Sequence, residues 1–194
     1  YGIIDNDWMD RSSIQVYKDQ DVFVLPFNEI EMILVDESVV KSVLPFDDNA
    51  GQQRKFNNFK DAIISSCREK KDKIISIALK KKLDEFMESH FIEKSEPNKY
   101  DAHVFLDSLA SEFDVDSTFN KINSIVVASL ASSDFSRILK ICNLKKEIID
   151  YRGNTEITPK FKEKALSRIT LDSDLQKELR HKYFEELEAK LLNH

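Results

Sequence analysis

The chain has 194 residues, 41% hydrophobic and 33% charged, with 35 acidic side chains against 29 basic ones and a formal charge of −6. That is enough apolar material for a sizeable core, and the acidic balance excludes a global field drawing the molecule to nucleic acid, so any such binding must be local. No apolar run approaches the roughly 20 residues needed to span a bilayer, no signal peptide is seen, and the two cysteines, Cys67 and Cys142, lie far apart in apolar helical contexts without a CxxC pair, which suits a reducing cytoplasm and core thiols.

The chain opens with YGIIDNDWMD. It begins with tyrosine rather than methionine, and Tyr1 to Ile4 reads as the end of a buried β-strand, so the sequence is expected to be the back part of a longer protein. A polar crossover follows, then DVFVLP gives a second strand at Val22 to Leu25, closed by Pro26. Two short strands joined by a crossover predict a parallel sheet. From Asn28 the pattern turns helical: Asn28 is placed to cap EIEMILVDESVVKSVL, with Glu31 at the reciprocal capping-box position and the helix ending near Pro45. PFDDNAGQQRK carries turn-forming and polar residues and reads as a linker.

Beyond it the pattern is helical almost throughout. Phe56, Phe59, Ile63, Cys67, Ile74, Ile77, Leu83 and Phe86 recur at helical spacing in one long helix or two. A break at EKSEPNKYD precedes AHVFLDSLASEF and a helix over DSTFNKINSIVVASLA capped by Asp116 or Ser117. SSDFSRILKICN follows, and the tail SDLQKELRHKYFEELEAKLLNH predicts an amphipathic helix burying Leu175, Leu179, Phe184, Leu187 and Leu191. The three glycines form no phosphate-binding loop. His90, His103, His181 and His194 are dispersed, without metal or triad spacing.

Asp5 and Asp7, two residues apart after an apolar strand, point the same way if strand geometry persists, and so place two carboxylates on one cation at the carboxyl end of a parallel sheet. Hard oxygen ligands suit Mg²⁺ or Mn²⁺, which stabilise charge on a phosphoryl group and activate water. The bland alternative is that Asp5 and Asn6 form a turn while Asp7 or Asp10 caps the next helix. Lys73, Lys80 and Lys81, in the basic run REKKDKIISIALKKK, either form a solvated helix face or hold a phosphate backbone.

GIIDNDW, the crossover and VFVLPFNEIEMILVDESVV together resemble the second half of a Toprim domain of the kind partnered with ABC-type ATPases, as in the overcoming-lysogenisation-defect nucleases and, more closely, the AriB-like effectors of PARIS phage-defence systems. The DxD pair of that pattern is matched by Asp5 and Asp7, and its Leu-Pro-x-x-Glu-Ile-Glu signature by Leu25, Pro26, Glu29, Ile30 and Glu31. The resemblance covers roughly the first 45 residues; the pattern's further glutamate belongs to a strand upstream of Tyr1. It implies an α/β plus α chain: the C-terminal half of a Toprim domain over residues 1–50 and a mostly helical domain over 51–194. It also implies a metal-dependent endonuclease with Asp5, Asp7, Glu29 and Glu31 in its site and Mg²⁺ or Mn²⁺ on Asp5 and Asp7; the candidate nucleic-acid contacts, Lys73, Lys80 and Lys81, come from the basic run, where they fall roughly on one side of a continuous helix. The expected substrate is RNA, transfer RNA favoured, and the expected partner an ABC-type ATPase that restrains the nuclease until phage infection releases it. The setting is cytoplasmic with no membrane partner, and a homodimer is compatible. Glu31 is explained equally by the capping box, and Glu29 by the helix dipole. The rival expectation is a non-catalytic helical interaction module in which the Toprim remnant is only an anchor.

Overall fold

The computed structural model describes residues 2–6, 8–9, 11–45, 48–93, 107 and 109–192. Gly2–Ile4 (β1) and Val22–Val24 (β2) form the expected parallel pair, with Gly2 opposite Val22 and Ile4 opposite Val24. The Leu25 N–H extends the ladder by donating to the Ile4 carbonyl at 2.9 Å. The crossover is a helix, Arg11–Asp19 (α1), and Asp21, in the left-handed region at φ 58°, turns the chain from α1 into β2. Short polar side chains tolerate that conformation best among non-glycine residues.

The single helix expected from Asn28 to Pro45 is two helices, a 3₁₀ helix over Ile30–Val35 and an α-helix over Glu37–Ser42 (α2). Asp36 makes the break, because its carboxylate accepts the Ser38 N–H at 2.9 Å and so starts a new helix. The expected capping box does not form. The 3₁₀ helix starts after Glu29 with no side-chain cap, and the fully buried Asn28 instead accepts the Trp8 backbone N–H on its side-chain oxygen at 3.1 Å. Tertiary demand has taken the capping residue.

The long apolar-periodic stretch is likewise two helices, Asn49–Glu69 (α3) and Lys71–Glu93 (α4), parted at Lys70. Helix α3 begins inside the expected linker, where the Asp48 carboxylate accepts the Gly51 N–H at 3.1 Å. Leu83, expected on the apolar face, is exposed. The break expected at EKSEPNKYD lies outside the described residues, as do His103 and His194. Val115–Ser132 (α5) is capped by Asp114, whose carboxylate accepts the Ser117 N–H at 2.9 Å, rather than by Asp116 or Ser117. Its far end closes on Ser133 at φ 52°, where Arg68 donates to the Leu130 carbonyl at 3.3 Å and the Ser133 hydroxyl at 2.7 Å. Phe135–Ile141 (α6) follows, capped by Asp134.

Lys146–Ile157 then winds as a π-helix, its last turn closed by the Thr158 N–H on the Gly153 carbonyl at 3.1 Å. Ile149, Gly153 and Ile157 recur every four residues and are buried. Gly153 is required by packing, since any Cβ there would enter the ring of the fully buried Phe161. The tail forms Phe161–Leu171 (α7), Ser173–Tyr183 (α8) and Glu185–Leu192 (α9). The expected single tail helix breaks at Phe184; Leu175 and Leu179 are buried as expected, Phe184 and Leu187 only partly so, and Leu191 is 52% exposed.

One contiguous apolar cluster runs from Phe27 through the 3₁₀ helix and α2 into α3–α6, the π-helix, α7 and α8. Chain on both sides of residue 50 therefore shares a core, centred on side chains such as Phe59, Ile63 and Phe161. Phe59 and Phe161 meet with ring centroids 5.9 Å apart. Cys67 and Cys142 are both fully buried free thiols, brought within 3.8 Å of each other although far apart in sequence. No helix among the described residues is long and apolar enough to cross a membrane.

The strand pair is clasped from the other side by the tail. Phe23 meets Phe184 at 6.1 Å and Phe27 meets Tyr183 edge-on at 5.0 Å. Lys18 pairs with Glu186 at 2.8 Å, and Lys190 with Asp21 at 3.5 Å.

Candidate functional site at the strand ends

The carboxyl ends of β1 and β2 turn outward together. The Asn6 N–H donates to the Phe27 carbonyl at 2.9 Å, and the Asn6 side-chain amide donates to the Leu25 carbonyl at 3.4 Å, which ties the two exits into one loop platform. A turn closes when the Met9 N–H donates to the Asn6 carbonyl at 2.8 Å, and Trp8 takes φ 66° within it. On this platform the Asp5 carboxylate accepts the Ile30 N–H at 2.9 Å. Ile30 stands between Glu29 and Glu31, so the fold brings Asp5 to the segment carrying the two glutamates. Asp7 and Asp10 lie outside the described residues.

Glu29 and Glu31 are both turned toward one cation that sequence reading missed. Lys145, immediately before the π-helix, reaches Glu29 at 3.0 Å and Glu31 at 3.4 Å. The hydrogen bond to Glu29, with the charge of both carboxylates, raises the Lys145 ammonium above its ordinary value. Glu31, expected to bond back to a helix start, is committed to this pair. No local signal marks Lys145, because its partners are more than a hundred residues away and the contact is made by tertiary packing of the 3₁₀ helix on the π-helix.

Carboxylate oxygens fit a hard divalent cation in donor chemistry. In the arrangement seen, however, Lys145 already supplies the positive charge at Glu29 and Glu31, and no three His, Cys, Asp or Glu side chains among the described residues are grouped to hold one ion.

The candidate lysines stand elsewhere. On α4, Lys73 and Lys80 are exposed, and Lys80 pairs with Asp84 at 2.6 Å one turn on. An exposed pair of that kind contributes well under about 1 kcal/mol. Helix α4 packs chiefly on α5, and also touches α3. His181 lies against Glu185 at 3.4 Å on the tail.

Beside the strand ends a cleft of about 950 Å³ opens between β2, α3, α6 and the α8–α9 corner, with Asn6, Pro26, Phe27, Phe135, Lys140 and Tyr183 among its lining residues. Asp36 reaches it as a buried carboxylate that accepts from Lys182 and from the Tyr183 hydroxyl, both at 2.5 Å. Burial, reinforced by the bond to Asp36, pushes the Tyr183 phenol well up. No family model matches the chain, and no curated protein or solved structure matches it.

Proposed function

We propose that the chain is part of a metal-dependent nuclease effector that cleaves RNA, transfer RNA favoured, with Asp5 and Asp7 as its acidic centre and an ABC-type ATPase as its restraining partner in anti-phage defence. One observation supports this reading above the others. A parallel strand pair delivers Asp5 to the Ile30 amide, beside Glu29 and Glu31, at the sheet edge where α/β proteins build their sites. A divalent ion held by Asp5 and Asp7 would supply charge stabilisation for a phosphoryl group. The chain's own part is to fix Asp5 through the Ile30 N–H, to hold Glu29 and Glu31 on the adjoining turn, and to offer Lys145 as a fixed positive charge on that turn.

A helical interaction module without catalysis is the second reading, and Lys145 is the observation that favours it: an internal ion pair satisfies Glu29 and Glu31 with no ligand at all. The two separate in one experiment. Asn at position 5 still offers an oxygen to the Ile30 N–H, so the Asp5→Asn/Asp7→Asn double variant should melt within a few degrees of wild type while Mg²⁺-dependent RNA cleavage by the intact protein disappears. Full cleavage by the folded double variant would remove the acidic centre, and absence of metal-dependent cleavage in the wild type would leave the interaction module.

A further inference from the structure

The cleft beside the strand ends is lined by four lysines, Lys18, Lys60, Lys140 and Lys182, and four carboxylates, Asp36, Glu37, Glu185 and Glu186. Three of these carboxylates are paired with lysines, Asp36 with Lys182 at 2.5 Å, Glu186 with Lys18 at 2.8 Å and Glu37 with Lys41 at 2.6 Å, while Glu185 faces only His181, at 3.4 Å. Two of the lysines, Lys60 on α3 and Lys140 in the last turn of α6, have no carboxylate partner among the described residues. Lys60 is held rather than loose. Its ammonium stands 5.6 Å from the ring centroids of both Phe56 and Phe135, which meet edge-on at 6.1 Å and 87°. Phe56 is buried beneath, whereas Phe135 is only partly covered and offers aromatic surface to the cleft.

Two unmatched ammonium groups, one of them anchored, beside an accessible phenyl ring form the combination that binds single-stranded nucleic acid: cations for the backbone and a ring on which a base stacks regardless of sequence. An acidic peptide would use the lysines and leave the ring idle. We infer that this cleft, rather than the lysine run of α4, is the path of a single-stranded nucleic-acid segment, with Lys60 and Lys140 on its phosphates and Phe135 under a base, leading to the strand end through Asn6. The inference rests on the proposed nuclease reading for the purpose of the path but not for its existence, since binding is measurable without cleavage.

The test is fluorescence anisotropy with short labelled ribo- and deoxyribo-oligonucleotides of one mixed sequence, on the intact protein in chelator so that nothing is cut. For single strands each phosphate contact adds about 0.7 to the salt slope, so Lys60→Gln/Lys140→Gln should flatten it by about 1.4. A fourfold rise in salt would then cost the variant about sevenfold less affinity than it costs the wild type. Phe135→Leu should weaken binding without moving the slope, and Lys73→Gln/Lys80→Gln/Lys81→Gln should change neither. Preference for the ribo- over the deoxyribo-oligonucleotide, or the reverse, assigns the sugar. An unchanged slope in the Lys60/Lys140 variant while the wild type binds would overturn the cleft and leave the nuclease reading standing; no binding by a wild type that cleaves would do the same. Equal competition by an acidic peptide would overturn it in favour of a protein partner.

Discussion

Asp36 offers the most quantitative check on the structure, because one buried carboxylate does three separable things. It caps α2 through the Ser38 N–H, accepts the Tyr183 hydroxyl, and accepts from Lys182, joining the segment after the 3₁₀ helix to the end of α8. Loss of an N-cap costs about 1 kcal/mol. A hydrogen bond from a partly buried phenol is worth about 1 to 1.5 kcal/mol, and the ion pair, with Lys182 half exposed, at most about 1 kcal/mol. Asp36→Ala should therefore cost about 3 kcal/mol. Asp36→Asn keeps an oxygen for the cap and loses mainly the charge, costing about 1 kcal/mol, and Tyr183→Phe should fall between, at about 1 to 1.5 kcal/mol. Urea unfolding monitored by circular dichroism, with the denaturant slope held constant across variants, measures each. If Asp36→Ala costs no more than Asp36→Asn, the cap and the phenol bond contribute nothing and the described junction is wrong.

Two further perturbations follow from the same interior. Gly153→Ala drives a methyl group into Phe161, which is fully buried and cannot retreat, and should lower stability by about 1 to 3 kcal/mol in the same unfolding assay; a neutral result would refute the close approach. The contact with Cys67, together with burial, raises the Cys142 thiol well above its ordinary value. The folded state thus keeps a proton that the unfolded chain releases above about pH 8.5. Stability is full below that pH and falls as pH rises, and the raised Tyr183 phenol extends the fall above about pH 10. Melting temperatures of wild type and Cys142→Ala across pH 7 to 10 check this, and a wild-type curve no steeper than that of the variant would refute it.

What the sequence disclosed was local and what it hid was tertiary. The strand pair was readable because two short apolar runs are bounded by polar residues and Pro26, and the Cys67 and Cys142 positions read as interior from their apolar neighbours. The capping role of Asn28 was misread because Trp8, twenty residues away, claims its side chain. Asp36 carried a readable signal, an aspartate two residues before Ser38, because such a residue caps the start of a new helix. The π-helix had none: its buried residues recur at a spacing an α-helix also shows, and Gly153 is explained only by Phe161. At the candidate site, Asp5 was visible from its place after a strand, whereas Lys145 and the Lys60–Phe135 corner exist only because distant helices meet.

The clasp between the tail and the strand pair sets an order of assembly. Lys18 and Glu186 are 168 positions apart, so the contact closes a loop spanning nearly the whole described chain, and closing it returns little until the bundle between them is already compact. The three-residue strands, too short to persist alone, are therefore seated late, after the helices that form the core. In the finished protein the same contacts should be the first to part, so that β1, β2 and α9 exchange their amide protons as one cooperative unit ahead of α3 and the π-helix. The platform that carries Asp5 would then be present or absent as a whole, governed by whether the segment around Phe184 is docked.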